Sequence, residues 1–524
     1  MSQPAQSSAD PVVQETSPSD LPPLRSTTSQ IFEECDRFRI LLVGRSGVGK
    51  SSLINAIFKI DAASVQDFKA GEATIDKEMS SKENPRFVLH DSQGYQPGEA
   101  GNLGTLERFV LERKDKPNKK DRLHAIWLCI ATPIAGGRIL ETGDEKIFKL
   151  DRGNVPIIVI FTKCDMLVSK HRQQLCAEYD GAELDRKSKE LARKEFDKIC
   201  LLPLQQNKTK NRLIAYVPLS TKSGYEDSLR TLAKLTQDPM ECTIPDEHRK
   251  SPFSFLLFWR PSSPKPSPND GYEVVDPAAI AFGAAQRVNS DLKIHNSIIV
   301  GRKKYWRGLG SSVHFFGRTL EKCLVVIHKD IVRIWNIRGL EVFLLEPKFK
   351  AEFSKVVEDL SDADAAAIDP NGRVMAIVPK VGAAVGLVGS IAHPGAPIVA
   401  PIVAGVLLAS WVYDIYRKTP GTVRCLMGYI VGLIIIMHRL FDLMQHRNDL
   451  SDESAMQTLR VYSESLEKRE IHLAIRNFVD GASIWEFTKK DIVFDQIVSM
   501  INEHCPTSVD NGEHSAVRPR VDRA

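Results

Sequence analysis

The chain has 524 residues, enough for two or three domains. Hydrophobic residues make up 43% and charged residues 26%, the balance of an ordinary soluble globular protein, and a formal net charge of +4 is too small to argue for nucleic-acid binding. The nine cysteines are scattered, with no CxxC pair and no Cys/His metal spacing, which favours free thiols in a reducing, cytoplasmic setting. The N-terminus has no charged region followed by an apolar core, so no secretory signal is expected.

Residues 1–28 are rich in Ser, Pro, Gln and Thr and read as a disordered tail. Ile31 to Cys35 reads as a short helix leading into the first strand, Ile40-Leu41-Leu42-Val43. Gly44-Arg45-Ser46-Gly47-Val48-Gly49-Lys50-Ser51 follows and fits the phosphate-binding P-loop pattern. Ser52 to Phe58 then reads as an amphipathic helix with Leu53, Ile54, Ile57 and Phe58 on one face. Gly44, Gly47 and Gly49 let the backbone curl so that N–H groups from Gly44 to Ser52 point at phosphate oxygens. The helix N-terminus adds partial positive charge. Lys50 is placed to reach the outer phosphates, and the Ser51 hydroxyl to take one position on a magnesium ion. A chance glycine turn is the bland alternative; the flanking strand and helix argue against it.

Phe87-Val88-Leu89-His90 reads as a strand delivering Asp91-Ser92-Gln93-Gly94, an Asp-x-x-Gly motif 41 residues after Lys50. Its carboxylate suits magnesium, usually through water, and the Gly94 N–H suits the last phosphate of a triphosphate. Thr74 is the candidate to cover the metal; an ordinary loop threonine weighs equally. Residues 96–122 read as a short helix and a solvated lysine-rich loop, with a partner surface as the sharper alternative. Ala125 to Ala131 is the next buried strand, and Thr142 to Leu150 a helix.

Pro156 to Phe161 is strongly β-branched and delivers Thr162-Lys163-Cys164-Asp165. After two phosphate motifs in order, this reads as base recognition. Asp165 accepts from guanine N1–H and N2–H, where adenine has no N1 proton; a site built on such bonds discriminates by roughly 10⁴-fold or more. The Lys163 stem packs over the base. Residues 169–200 read as an inserted helical segment, and Leu213 to Val217 as the last strand. The strand leads into Ser220-Thr221-Lys222, suited to guanine O6, and Glu226 to Leu235 closes the domain as a helix.

The order GxxxxGKS, Thr, DxxG, TKxD and S-T-K over residues 36–240 resembles the translation-factor-related P-loop GTPases, nearest to the Era, septin and immunity-associated group. The resemblance implies an α/β domain with a central, mostly parallel sheet, binding GTP or GDP with Mg²⁺ and hydrolysing GTP. Catalytic roles fall to Lys50, Gly94 and Thr74, and the metal to Ser51, Thr74 and Asp91. One departure is Tyr95, where Ras-like proteins place a water-orienting glutamine. GTPases of this group that share the feature hydrolyse slowly until a dimer partner, a cation or an activating protein completes the site. A nucleotide-binding module that hardly hydrolyses is the rival reading.

Beyond residue 240, prolines mark 241–275 as a linker, interrupted by the apolar stretch Phe253 to Trp259, which is expected to bury on the G domain. Residues 276–505 read as a helical domain. Leu320, Leu324, Ile327, Ile331 and Ile334 form one helix face, and Gly301 to Arg307 a solvated basic face. Residues 381–413 hold no Asp, Glu, Lys or Arg, long enough for the about 20 residues a bilayer span needs. A second apolar run, 425–437, is short. Two readings stand: a membrane-inserting helical hairpin, as in some membrane-acting GTPases, or a pair of buried helices with Pro394, Pro397 and Pro401 near the turn. Burial is favoured because prolines split the long run. Residues 451–505 read as amphipathic helices and 506–524 as a polar tail.

Overall fold

The structure is a computed structural model that describes residues 25–59, 75–82, 84–92, 101–134, 139–140, 142–206, 214–241, 276–304, 320–360, 399–447, 450–481 and 492–505. Thr74, Gln93, Gly94, Tyr95, the 253–259 stretch, 305–319, 361–398 and the 506–524 tail lie outside the described residues.

The chain opens with α1 (Thr27–Glu34), β1 (Phe38–Gly44), α2 (Lys50–Phe58), β2 (Met79–Ser81) and β3 (Asn84–Asp91). Then come α3 (Gly101–Arg113), β4 (Ala125–Ala131), α4 (Thr142–Phe148), β5 (Ile157–Thr162), α5 (Asp165–Leu175) and α6 (Gly181–Phe196). A short α7 (Leu202–Gln206), β6 (Ile214–Pro218) and α8 (Glu226–Glu241) complete this part. The strands form one sheet ordered β2-β3-β1-β4-β5-β6, with β2 antiparallel to β3 and every other pair parallel.

Alternation along the strands divides the side chains between two cores. Ile40, Leu42, Trp127, Cys129, Ile158 and Ile160 pack with α2 and α8 on one face. Leu41, Val43, Ile126, Leu128, Val159 and Phe161 pack with α3, α4 and α6 on the other. Both faces are covered, as a parallel sheet with crossover helices requires. The strand C-termini therefore gather the loops 44–50, 91–92, 162–165 and 219–222 at one edge.

The remaining elements are α9 (Pro277–Ala285), α10 (Ser290–Lys304), α11 (Leu320–Trp335), α12 (Glu341–Leu345), α13 (Pro347–Val356), α14 (Val399–His446), α15 (Asp452–Glu464), α16 (Leu466–Gly481) and α17 (Ile492–His504). Helix α9 departs from the sequence reading. It lies beyond the proline-rich stretch, yet Ala278, Ala281, Phe282 and Ala285 join the α2/α8 face of the sheet, with Phe282 4.8 Å from the Phe38 ring. Helices α11 to α17 build their own core, and Leu324, Ile327 and Ile331 face into it as the spacing indicated.

The apolar run 425–437 lies inside that core. The pair-of-helices geometry is corrected: α14 is one continuous helix of 48 residues that passes through Pro420. Pro420–His446 is long and apolar enough to cross a bilayer, but 83% of its most apolar window is buried in the protein. A Cβ on Gly428 would lie 2.3 Å from Leu360 Cδ1, so the missing side chain is what lets α14 and its neighbour approach.

The N-terminal boundary also shifts. Ser26, Thr27 and Thr28, read as the end of the tail, are buried. Thr27 N and Thr28 N donate to the Asp330 carboxylate at 3.0 and 2.8 Å, and Thr28 Oγ1 donates at 2.6 Å. The carboxylate on α11 thus takes up free N–H groups of α1, a need that every helix start has.

The C-terminal ends of α2, α9 and α11 converge on two buried cations, Arg287 and Lys293. Lys293 Nζ donates to Ala284 O at 2.9 Å and Ile334 O at 3.3 Å, while Arg287 Nη1 donates to Asn336 O. Among the described residues neither cation has a carboxylate within ion-pair distance; the negative ends of helices stand in for one. The same junction grips α2: Arg287 N donates to Ile57 O at 2.9 Å, and Asn84 Nδ2 bridges Phe58 O and Ala285 O. Gln445 of α14 donates to Arg287 O at 2.8 Å. The helix that begins at the glycine loop is therefore bonded at its far end to the helical region.

Candidate functional site

The glycine loop turns between the end of β1 at Gly44 and the start of α2 at Lys50. Gly44 sits against β4, where a Cβ would lie 2.5 Å from Cys129 O, so only glycine fits. Gly49 has φ +99°, which L side chains rarely adopt. Lys50 folds back over the loop, its Nζ donating to Gly44 O at 2.8 Å and Arg45 O at 3.2 Å. The ammonium is thereby held at the mouth of the loop, with no carboxylate in ion-pair distance among the described residues. Arg45, Ser46, Gly47, Val48, Ser51 and Ser52 complete the turn around it; Ser46, Gly47 and Ser52 are exposed and Val48 is buried.

Asp91 ends β3 beside Leu42 of β1. Ser92 fixes that end, donating from N and Oγ to Leu42 O at 3.0 and 3.1 Å. One Asp91 oxygen, Oδ1, is buried with no hydrogen-bond partner among the described residues. Burial pushes the carboxyl up to about 6, and only the nearby Lys50 charge opposes it. A buried carboxylate oxygen without a donor suits a hard cation. The oxygen donors Asp91 and Ser51 thus fit magnesium. Thr74, the third proposed ligand, and Gly94 lie outside the described residues.

The third motif is tied directly to the first. Thr162 Oγ1 donates to Val48 O at 2.6 Å, and Lys163 Nζ donates to Gly47 O at 2.7 Å. Lys163 itself has φ +57°, the left-handed turn that swings its stem toward the glycine loop. Asp165 begins α5 with its side chain 7% exposed. Burial pushes its carboxyl up, but Lys222 and Ser220 outweigh that and hold it below the usual carboxylate value. Lys222 Nζ lies 2.6 Å from Asp165 Oδ2 and is itself 70% exposed, so it can swing away at little cost. Ser220 Oγ accepts from Lys222 N at 3.2 Å, and Leu219 N bonds Phe161 O at 2.8 Å, which sets this loop beside the Thr162 loop. Thr221 is exposed on the same turn.

The structure brings together Gly44 to Ser52, Asp91, Thr162, Lys163, Asp165 and Ser220 to Lys222 at one edge of the sheet. Sequence reasoning missed His90. It is fully buried and its Nδ1–H donates to Ile75 O at 3.0 Å, anchoring the residue after Thr74 to the strand that carries Asp91. Burial lowers its pKa to about 4, so the ring is neutral. Its neighbour Arg39, also buried, pairs with Glu78. Two polar residues inside otherwise apolar strands were the available signal.

Sheet order, glycine loop and the sequence of motifs define the N-terminal part as a P-loop GTPase domain. Residues 39–163 match the family described as 50S ribosome-binding GTPase. Residues 343–513 match a second family, described as a domain of unknown function, which covers the helical region from α12 onward. "GTPase Der" of Wolinella succinogenes is 30% identical over 140 residues, 26% of this chain and 28% of that protein. "Probable GTP-binding protein EngB" of Wolbachia sp. subsp. Brugia malayi is 30% identical over 132 residues, 24% of this chain and 61% of that protein. The chain therefore spans less than a third of the Der relative's length and under two thirds of the EngB relative's. Among solved structures, one titled as a probable GTP-binding protein engB aligns with a TM-score of 0.21 at 16% identity, over 38% of this chain and 97% of that one.

Proposed function

We propose that this protein binds GTP and GDP at the sheet edge, hydrolyses GTP slowly, and passes the nucleotide state to its helical region. The observation that carries the reading is the double tie between motifs, Thr162 to Val48 O and Lys163 to Gly47 O. It fixes the distance between a phosphate cradle and the Asp165 carboxylate, as recognition of one nucleotide at both ends demands.

In this reading the loop N–H groups and Lys50 hold the phosphates and stabilise charge on the oxygens of the transferring group. Ser51 and Asp91, with Thr74 as a third ligand, would hold a magnesium ion, which would neutralise phosphate charge. Asp165 accepts from guanine N1–H and N2–H once Lys222 has moved aside, and Ser220 to Lys222 lie against the base edge. Tyr95 stands where a water-orienting glutamine would, so a dimer partner, a cation or an activating protein supplies that group. The output reaches the helical region through Thr74 and Gly94 and through α2, whose far end is bonded to Arg287 and Asn84.

Single-turnover assays on the full chain test the chemistry. GDP formation that Lys50→Ala abolishes supports it; GTP bound but unhydrolysed over hours would leave a binding module. Burial of 425–437 disfavours the membrane reading, and liposome flotation of the intact chain tests it.

A further inference from the structure

The helical region carries a groove of about 470 Å³ between α13 and α15, remote in sequence from every nucleotide motif. Helix periodicity builds both walls. Lys348, Glu352 and Lys355 recur at steps of four and three along α13, and Met456, Leu459, Arg460 and Ser463 at steps of three, one and three along α15. Lys468, from the start of α16, also lines the groove.

Its charge is one-sided: four cations against Glu352 alone. Lys355 is taken up by Glu352 at 2.8 Å, and Lys468 lies 3.8 Å from Asp359. Among the described residues Lys348 and Arg460 have no carboxylate within ion-pair distance, and both are exposed. Below this rim the lining is apolar, made by the buried Val356 and Leu459 and the half-buried Met456.

We infer that this groove docks an acidic amphipathic helix of a partner protein, its carboxylates on Lys348 and Arg460 and its apolar side chains on the half-buried Met456, above the buried Val356 and Leu459. Charge complementarity selects the acidic partner, and the recessed apolar floor selects a helix that carries apolar anchors on one face. A planar lipid surface meets the cations but not the floor. A small free anion gains little here, because the donors sit on long flexible stems.

The test is fluorescence anisotropy of the full chain with a labelled peptide of about 18 residues, five helical turns, with Leu at steps of three and four and Glu elsewhere. Binding should weaken as salt rises. It should fall at least tenfold in Lys348→Glu/Arg460→Glu and also in Met456→Gln, with far-ultraviolet circular dichroism and GTP affinity unchanged. Four results overturn the inference. One is no binding, or binding indifferent to the charge reversals. Another is binding no tighter than that of polyglutamate of equal length. A third is retention on phosphatidylserine vesicles, lost in the same variants, without peptide binding. The last is tighter peptide binding by Asp362→Asn/Asp364→Asn, which would assign the groove to the chain's own acidic stretch. GTP affinity is read separately, so failure of the groove and failure of the nucleotide reading remain distinguishable.

Discussion

Replacing Thr162 by valine keeps shape and removes one hydroxyl. That hydroxyl donates to Val48 O at 2.6 Å and also lies 3.3 Å from Ile130 O, at a side chain only 3% exposed. The change leaves a buried carbonyl of the glycine loop without its side-chain donor, at about 1–3 kcal/mol. We expect the free protein to lose about 2 kcal/mol of unfolding free energy in urea. Part of that loss must reappear in binding. If the hydroxyl holds the base-reading loop on the phosphate loop, the variant has to order both when nucleotide arrives. About 1.4 kcal/mol of such ordering is a tenfold weaker Kd for GDP. Denaturation and calorimetric titration of the same sample separate the two effects. Lost stability with GDP affinity within twofold of wild type would refute the reasoning, since the bond would then serve the fold alone.

Asp91→Asn should change both pH dependence and metal dependence. The folded carboxyl, near 6, holds its proton more tightly than an unfolded one at 3.8. Protonation therefore favours the folded state, and the free protein loses about 3 kcal/mol as pH rises from about 4 to about 6. The asparagine variant should be the more stable above pH 6 in urea titrations without metal, and GTP binding should lose its response to magnesium. Gly44→Ala would put a Cβ 2.5 Å from Cys129 O, and about 1–3 kcal/mol of overpacking should lower the melting temperature by several degrees. Gly47→Ala meets no atom of the described residues within 4 Å, so only its φ of +73° is strained and its loss should be the smaller. Asp330→Ala removes the acceptor for Thr27 N, Thr28 N and Thr28 Oγ1, about 2–4 kcal/mol. Hydrogen exchange should then accelerate in residues 26–34 while the sheet stays protected.

The parts legible in the sequence are those in which local pattern and local structure coincide. Ile40 to Val43, Phe87 to Leu89, Ala125 to Ile130 and Ile157 to Phe161 are buried in a mostly parallel sheet, so continuous apolar runs marked them. The glycine loop, Asp91 and Thr162 to Asp165 each sit just after such a strand, where motif order alone placed them at one edge. Packing between distant segments left no such mark. Nothing near Pro277 indicated that α9 would cover the sheet, or that Thr28 would bond a carboxylate 302 residues away. Pro420 in α14 shows the limit of breaker rules: the helix continues through it. No local pattern announces that helix ends will surround Arg287 and Lys293.

Calorimetric titration of the full chain with GTP and then ATP, with magnesium, on wild type and Asp165→Asn, addresses the central claim most directly. The account expects GTP to bind at least about 10³-fold more tightly than ATP, and the asparagine variant to lose most of that preference through weaker GTP binding. Equal binding of GTP and ATP by the wild type, or a preference that survives in the variant, would contradict the assignment of Asp165 as the reader of the base.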